Sequence, residues 1–198
     1  MTTELNLFNE LHGLTVPGLL RRRAQQHPFK LALSAYSHRG YRDRVSFAQL
    51  VIRMESVARG LSSRGLQQGE RVALFLSNQA VRECVLTALG CYRLGAIVAP
   101  LNVRASNEEL EHALGLIEPA FIVTNQENAT RISGLCPQAR LLLLDGAAGK
   151  PGTWPEPESE FHDFVLPDVA QPEDPSVLLL TSGTTARSKA VTHCHRSQ

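Results

Sequence analysis

Residues 71–101 decide the fold class. Their sequence is RVALFLSNQAVRECVLTALGCYRLGAIVAPL, in which a helical pattern separates two short apolar runs. The runs RVALFL and AIVAPL are apolar on both faces, which is typical of strands covered from two sides. The intervening helix is predicted to end at Gly95, because glycine readily takes the left-handed conformation found after helices. This strand–helix–strand unit predicts two parallel strands.

The same alternation continues downstream. Ser106 and Glu109 have the spacing of a capping box, and the apolar side chains that follow recur at helical intervals before Pro119. AFIVTN predicts the next strand, 127–135 a weaker helix, and ARLLLLD another strand. The pattern predicts an α/β fold with a mostly parallel sheet and helices on both faces.

Upstream of this unit the sequence predicts two helices and one strand. Thr15 is placed to cap the first helix, with Pro17 in its first turn, and the His-Pro pair at 27–28 ends it. KLALSAY predicts a strand and SHRGYRDR a polar turn. The second helix follows Ser46 as its cap and ends before Gly65.

The chain divides into three predicted parts. Residues 1–145 form the α/β core, and 146–175 form a surface connection rich in proline, glycine and acids, where only FHDFVL offers apolar side chains to dock. Residues 176–198 provide SVLLL, expected to be a buried strand, and the loop that follows it. Open α/β sheets bind ligands beyond the carboxyl ends of their strands, so this loop is the first candidate site.

Composition excludes several classes of function. The 198 residues are 43% hydrophobic and carry a formal net charge of +1, so bulk attraction to nucleic acid or to an anionic membrane is not expected. The four cysteines show no C-x-x-C spacing, and the start lacks a basic, apolar leader, which favours a reduced, cytoplasmic protein. No apolar run approaches the roughly 20 residues of a membrane span. The run HCH at 193–195 lacks a matching distant pair, so a strand end is favoured over a zinc site.

The loop TSGTTARSKA at 181–190 concentrates hydrogen-bond donors around a glycine. Gly183 lets the backbone approach a ligand closely, and Lys189 adds a compact positive charge. The hydroxyl donors are Thr181, Ser182, Thr184 and Thr185. Together these groups suit a polyphosphate, although the spacing is not that of a Walker loop. An exposed Ser/Thr turn without a ligand is the alternative on composition alone.

TSGTTARSKAV closely resembles T-S-G-T-T-G-x-P-K-G-V, the signature of the AMP-forming adenylating enzymes. This superfamily contains acyl-CoA synthetases, peptide-synthetase adenylation domains and luciferases. GAIVAPLNVRASNEELEHAL, SFAQLVIRMESVARGL and GERVALFLSN also resemble family segments in order and spacing, so the resemblance covers nearly the whole chain. PLNVR resembles acyl-CoA synthetases more than amino-acid adenylation domains.

The resemblance implies a two-step ligation of a small carboxylic acid with ATP, Mg²⁺ and coenzyme A. The acid is first activated as an acyl-adenylate, and the acyl group then passes to the thiol. The loop residues Thr181, Ser182, Gly183, Thr184, Thr185 and Lys189 would bind the β- and γ-phosphates. Lys189 is the catalytic candidate, Thr181 also a magnesium ligand, and His195 a residue near the acid.

The sequence departs from the family pattern in two ways. Ala186 and Ala190 replace glycines and Ser188 replaces a proline, which is expected to weaken closure of the loop over ATP. Family members are also much longer, so the chain is expected to be an N-terminal fragment that lacks the C-terminal domain and is inactive alone. The alternatives are a non-catalytic remnant that binds nucleotide or a protein partner, and part of an amino-acid adenylation domain.

Overall fold

A computed structural model describes residues 14–146, 152–157, 164–181 and 188–198. Five α-helices and eight strands lie within these ranges. In chain order they are α1 (Val16–Gln26), β1 (Leu31–Tyr36), β2 (Arg42–Ser46), α2 (Phe47–Ser63), β3 (Arg71–Leu74), α3 (Val81–Arg93), β4 (Ile97–Pro100), α4 (Asn107–Ile117), β5 (Phe121–Thr124), α5 (Gln126–Leu135), β6 (Arg140–Leu143), β7 (Pro175–Thr181) and β8 (Lys189–Cys194).

The helices begin and end where the local sequence predicts. The Thr15 hydroxyl accepts a hydrogen bond from the third residue after it, which satisfies a free N–H at the start of α1. Ser46 and Ser106 each form the predicted capping box, at α2 and α4. Gly65 and Gly95 follow α2 and α3 with φ of +88° and +66°, the conformation that glycine adopts without strain.

The main sheet confirms the predicted fold class. Its strand order is β6-β5-β3-β4-β7-β8, and all neighbouring strands are parallel except the antiparallel pair β7–β8. Side chains of β3 alternate between two cores. Val72 and Leu74 belong to the core that includes buried residues of α2 and α3, whereas Ala73 and Phe75 belong to the core with α4 and α5. Helices therefore cover both faces.

The predicted polar turn SHRGYRDR is wrong in its second half. Arg42–Ser46 forms β2, which pairs antiparallel with β1 in a separate two-stranded sheet. Most side chains of β2 are polar and solvent-accessible, so the sequence shows no apolar alternation there. Val45 alone in this strand is deeply buried, at 2% exposure. Its packing on the core holds β2 in place, although the sequence of β2 has no alternating apolar pattern.

The connection between β6 and β7 packs more closely than predicted. FHDFVL lies partly outside the described residues, and it does not provide the only apolar contact. Trp154 is 1% exposed, and its Nε1–H donates to the Thr87 hydroxyl at 2.7 Å. Leu166 is also buried, and the Arg93 guanidinium donates to the carbonyls of Leu166 and Pro167 at 2.7 and 2.6 Å. Helix α3 thus holds two separate parts of the connection.

Strand β7 is only partly buried, contrary to the prediction for SVLLL. Leu178 and Leu180 pack against the core with α4 and α5, but Leu179 points to the opposite face and remains 41% exposed. Its cross-strand partner Val191 is also 41% exposed. The reason is position, because β7 and β8 lie at one side of the sheet, and the described residues leave this face of the two strands largely uncovered.

Candidate phosphate-binding site

The structure describes both stems of the hydroxyl-rich loop. Strand β7 ends at Thr181 and β8 begins at Lys189, and these two residues are directly paired in the antiparallel register. The Thr181 Oγ1 lies 3.4 Å from the Lys189 carbonyl oxygen and donates toward it. Ser182, Gly183, Thr184 and Thr185 lie outside the described residues. The base of the loop is therefore a closed pair of strands.

Both described members of the predicted site face solvent. Lys189 is exposed and forms no ion pair with the other described residues, so its ammonium group is available to an anion. The Thr181 hydroxyl uses its proton on a carbonyl, which leaves its oxygen lone pairs available to a cation. The Lys189 side chain can thus bind an anion and the neighbouring Thr181 side chain a cation.

A histidine that the sequence analysis did not select contacts the end of this loop. The His112 Nε2 lies 3.0 Å from the Ser188 carbonyl oxygen, so its N–H donates to the residue just before Lys189. His112 is half-buried on α4. His112 lies within the family-like segment GAIVAPLNVRASNEELEHAL, but nothing in that segment links it to Ser188, and only the packing of α4 beside β8 reveals the contact.

Ala190, which replaces a family glycine, is among the described residues. Ala190 lies within β8, where it pairs with Leu180 in extended backbone. Strand backbone accepts any L-residue, so alanine fits at this position, and weaker closure of the loop over ATP stays a prediction. Ala186, the other replaced glycine, lies outside the described residues.

A polar cleft of about 730 Å³ opens at the carboxyl ends of β3, β4 and β5. The chain leaves β3 for α3 on one face and leaves the adjacent β4 for α4 on the other face, which makes this crevice the topological switch point of the sheet. Its lining residues are Leu76, Ser77, Asn78, Gln79, Leu101, Asn102, Val103, Arg104, Asn125, Glu127 and Asn128.

The cleft and the loop share one edge of the sheet. Val98 of β4 pairs with Val177 of β7 in a parallel register, so the same register places Leu101 of the cleft beside Leu180, one residue before Thr181. The turn that follows Leu101 is held locally, because the Asn102 side chain accepts the backbone N–H two residues later at 2.9 Å.

The structure does not bring His195 to the loop. Cys194 at the end of β8 pairs with Pro175, at the opposite end of β7 from Thr181. His195 lies six positions after Lys189 along the strand, a distance of about 20 Å at the usual rise per residue. His195 is 3% exposed and contacts the edge of the Tyr92 ring, with centroids 5.4 Å apart. A contact with the acid stays a prediction.

Burial governs the chemistry of His195. Desolvation lowers the pKa of the imidazole, and the nearby carboxylate of Asp174 opposes this only in part. Neither ring nitrogen has a hydrogen-bond partner among the described residues. His195 therefore remains a neutral, interior side chain beside α3.

Apart from the loop and the cleft, the described residues contain a buried cluster of ion pairs that joins three parts of the chain. Arg82 on α3 is 1% exposed and lies 2.8 Å from Asp43, 2.8 Å from Glu156 and 3.2 Å from Glu83. The His38 Nδ1 lies 3.0 Å from the carboxylate of Glu83. The cluster ties the β1–β2 hairpin and 152–157 to α3, which is a structural role, because its charges are paired inside the protein.

The pKa of Glu83 reflects this pairing. Burial alone would raise it, but hydrogen bonds from the His38 side chain and from backbone N–H groups lower it below its ordinary value of 4.5. The Glu83 carboxylate accepts from the His38 backbone N–H at 3.0 Å. The residue is ionised at neutral pH and is stabilised in that form by folding.

Cys84 and Cys91 pack as small apolar side chains. Burial raises the pKa of Cys84 to about 11 and raises that of Cys91 further, so both thiols are protonated at neutral pH.

Among residues 14–146, 152–157, 164–181 and 188–198, no three His, Cys, Asp or Glu side chains form a metal-binding group. Strand β8 ends at Cys194, as the strand-end interpretation of HCH predicts. None of the described helices combines the length and the apolar character needed to cross a bilayer.

The fold and the site together define an α/β protein in which a polar cleft and the paired stems of the loop lie at the same edge of a mostly parallel sheet. Comparison with known proteins specifies the class. The family model for AMP-binding enzymes matches residues 20–198. The chain belongs to this family of AMP-binding enzymes.

The relatives include CoA ligases that act on different acids. A feruloyl-CoA synthase from an Amycolatopsis species is 30% identical over 175 residues, which cover 88% of this chain and 32% of that protein. An acetyl-coenzyme A synthetase from Penicillium chrysogenum is 26% identical over 193 residues, covering 87% of this chain and 29% of the relative. The chain thus spans about a third of the length of the curated relatives that it matches.

A solved structure of similar fold has its nucleotide bound. ATP-bound MatB from Rhodopseudomonas palustris superposes with a TM-score of 0.65 and 30% identity, over 84% of this chain and 32% of that chain.

Proposed function

We propose that this chain provides the phosphate-binding part of an ATP-dependent, AMP-forming acid–CoA ligase. The pairing of Thr181 with Lys189 carries the proposal, because it fixes the two stems of the loop at the carboxyl edge of the sheet. Membership of the AMP-binding enzymes and the CoA ligases among its relatives support it.

In the first step, an oxygen of the substrate carboxylate attacks the α-phosphorus of ATP. The bond from that phosphorus to the bridging oxygen breaks, and pyrophosphate leaves with the electron pair of that bond and the negative charge it brings. The ammonium group of Lys189 stabilises this charge, with hydrogen bonds from Ser182, Thr184, Thr185 and the backbone of Gly183. In the second step, the thiol of coenzyme A attacks the acyl carbon and AMP leaves.

Thr181 is the residue that would hold Mg²⁺. Its hydroxyl oxygen retains lone pairs after donating to the Lys189 carbonyl, and magnesium commonly binds one or two protein oxygens together with phosphates and water. The ion would neutralise phosphate charge during departure of pyrophosphate. We assign no phosphate contact to His195, since it lies at the other end of β8.

The test measures binding of Mg-ATP and of inorganic tripolyphosphate by calorimetry. Lys189→Ala removes a charged hydrogen-bond donor, which is worth about 1.5–3 kcal/mol, so the dissociation constants should rise about ten- to a hundredfold. Lys30→Ala is the matched control, because Lys30 is also exposed but precedes β1. Equal binding by the parent and Lys189→Ala would contradict the proposal.

Carboxylate-dependent release of pyrophosphate separates the ligase from a non-catalytic nucleotide binder. The replaced family positions Ala186 and Ser188 favour this second candidate. A complete protein that binds ATP through Lys189 but releases no pyrophosphate with any carboxylic acid would be a binder. Release without coenzyme A consumption would instead indicate an adenylating enzyme with another acceptor.

A further inference from the structure

We propose that His112 is a positioning residue for Lys189, acting through its hydrogen bond to the Ser188 carbonyl. The inference rests on the proposed function, since it assigns a role in orienting Lys189 toward a polyphosphate. The contact joins α4 to Ser188, the residue just before β8, with 3.0 Å between Nε2 and the carbonyl oxygen.

Helix α4 is a fixed frame for this contact. Its start is closed by the capping box between Ser106 and Glu109, with both hydrogen bonds present. On either side of His112, Leu110 and Ala113 are 1% and 4% exposed in the core. The half-buried imidazole therefore projects from a helix that cannot rotate without exposing apolar side chains.

The geometry of the peptide unit explains why the Ser188 carbonyl affects Lys189. The carbonyl of Ser188, the N–H of Lys189 and the two flanking Cα atoms lie in one plane. A hydrogen bond that fixes the direction of this carbonyl also fixes the plane, and with it the position of the Lys189 Cα. Pairing of Lys189 with Thr181 holds the following unit of the strand. The Lys189 side chain is thus set from both sides.

Ser188 makes such a restraint necessary. A proline at this position, as in the motif that the sequence resembles, would restrict the backbone through its own ring. Serine lacks the ring, so its own backbone has more accessible conformations than that of a proline at this position. The hydrogen bond from His112 supplies an equivalent restraint from a neighbouring element.

Loss of the His112 hydrogen bond should weaken only the binding of ligands that contain a polyphosphate. His112→Leu removes the donor but keeps an apolar side chain of similar size, and should weaken binding of inorganic tripolyphosphate and Mg-ATP about two- to tenfold, the range of a typical net hydrogen bond. His112→Gln retains an N–H at a similar reach and should restore binding. AMP binding should not change, because AMP lacks the β- and γ-phosphates that Lys189 would contact.

Two controls separate positioning from stability. Glu111→Gln alters an exposed neighbour on α4, and loss of its negative charge should not weaken anion binding. Urea unfolding followed by fluorescence of Trp154, the single tryptophan, should show the same midpoint for the parent, His112→Leu and His112→Gln. A merely structural role for His112 would lower this midpoint and would reduce AMP binding together with ATP binding.

The outcomes distinguish this inference from the proposed function. If Lys189→Ala weakens tripolyphosphate binding but His112→Leu does not, the role of His112 is overturned and the function stands. Failure of His112→Gln to restore binding also overturns it, because the donor would then be irrelevant. If Lys189→Ala changes nothing, the proposed function fails.

A measurement without ligand tests the hydrogen bond between His112 and Ser188 whether or not the protein binds nucleotide. Hydrogen exchange at the Ser188 and Lys189 amides should be faster in His112→Leu than in the parent and in His112→Gln. Unchanged exchange would refute the restraint on the loop irrespective of nucleotide binding.

Discussion

Gly60 lies where α2 contacts the connection between β6 and β7. A Cβ at this position would lie 2.3 Å from the Cβ of Pro155 and 3.0 Å from its Cγ. An ordinary contact begins at 3.4 Å, so the proline ring would have to move by about 1 Å. The ring is rigid, and Trp154 beside it is fully buried. Gly60→Ala should therefore overpack this contact.

The net effect follows from two opposing terms. Overpacking costs about 1–3 kcal/mol, and the rigid neighbour places Gly60→Ala in the upper half of that range. Alanine is favoured over glycine in a helix interior by about 1 kcal/mol, which offsets part of the cost. Gly60→Ala should thus lower the free energy of unfolding by about 1–2 kcal/mol. Helix propensity alone predicts the opposite sign.

Gly115 is the matched control. It lies in α4, and no atom lies within 4 Å of a Cβ added there, so Gly115→Ala should stabilise the protein by about 0.5–1 kcal/mol. Urea titration monitored by Trp154 fluorescence measures both variants. With a slope of about 2 kcal/mol per molar, the midpoint should fall by about 0.5–1 M for Gly60→Ala. A midpoint for Gly60→Ala at or above that of the parent refutes the packing argument.

Two other predictions use the same unfolding assay. The pKa of Glu83 is lowered by folding, so its contribution to stability is present above the ordinary value of 4.5 and is lost as pH falls below it. Glu83→Gln should destabilise the protein at neutral pH and flatten this acid dependence, and an unchanged slope contradicts the assignment. Ser106→Ala should cost about 0.5–2 kcal/mol through loss of the α4 cap, whereas Ser133→Ala, within α5, should cost little. Equal losses would argue against the capping role.

Much of the fold is predictable because its signals are local. Capping boxes at Ser46 and Ser106 and the left-handed glycines at 65 and 95 act within one helical turn, so a short stretch of sequence contains both partners. Apolar runs over 71–101 identify strands buried on both faces. β2 was not predicted, because its sequence has no apolar pattern and it forms a strand through its pairing with β1.

The candidate site divides along the same line. The residue types of the loop can be read from the sequence alone. The family resemblance that assigns Thr181 and Lys189 to a polyphosphate can be read from it as well. The separation of His195 from them depends on β8 running antiparallel to β7. The contact of His112 with Ser188 joins residues 76 apart in the chain, a distance over which a sequence carries no geometric signal.

The sequence by itself determined the helix limits, the alternation of strands and helices, and the chemistry of the loop, because each depends on neighbours along the chain. Only the tertiary structure decided the strand order, the burial of Trp154 and the partial exposure of Leu179. These features depend on which elements pack together, and packing is set by the whole core rather than by any one segment.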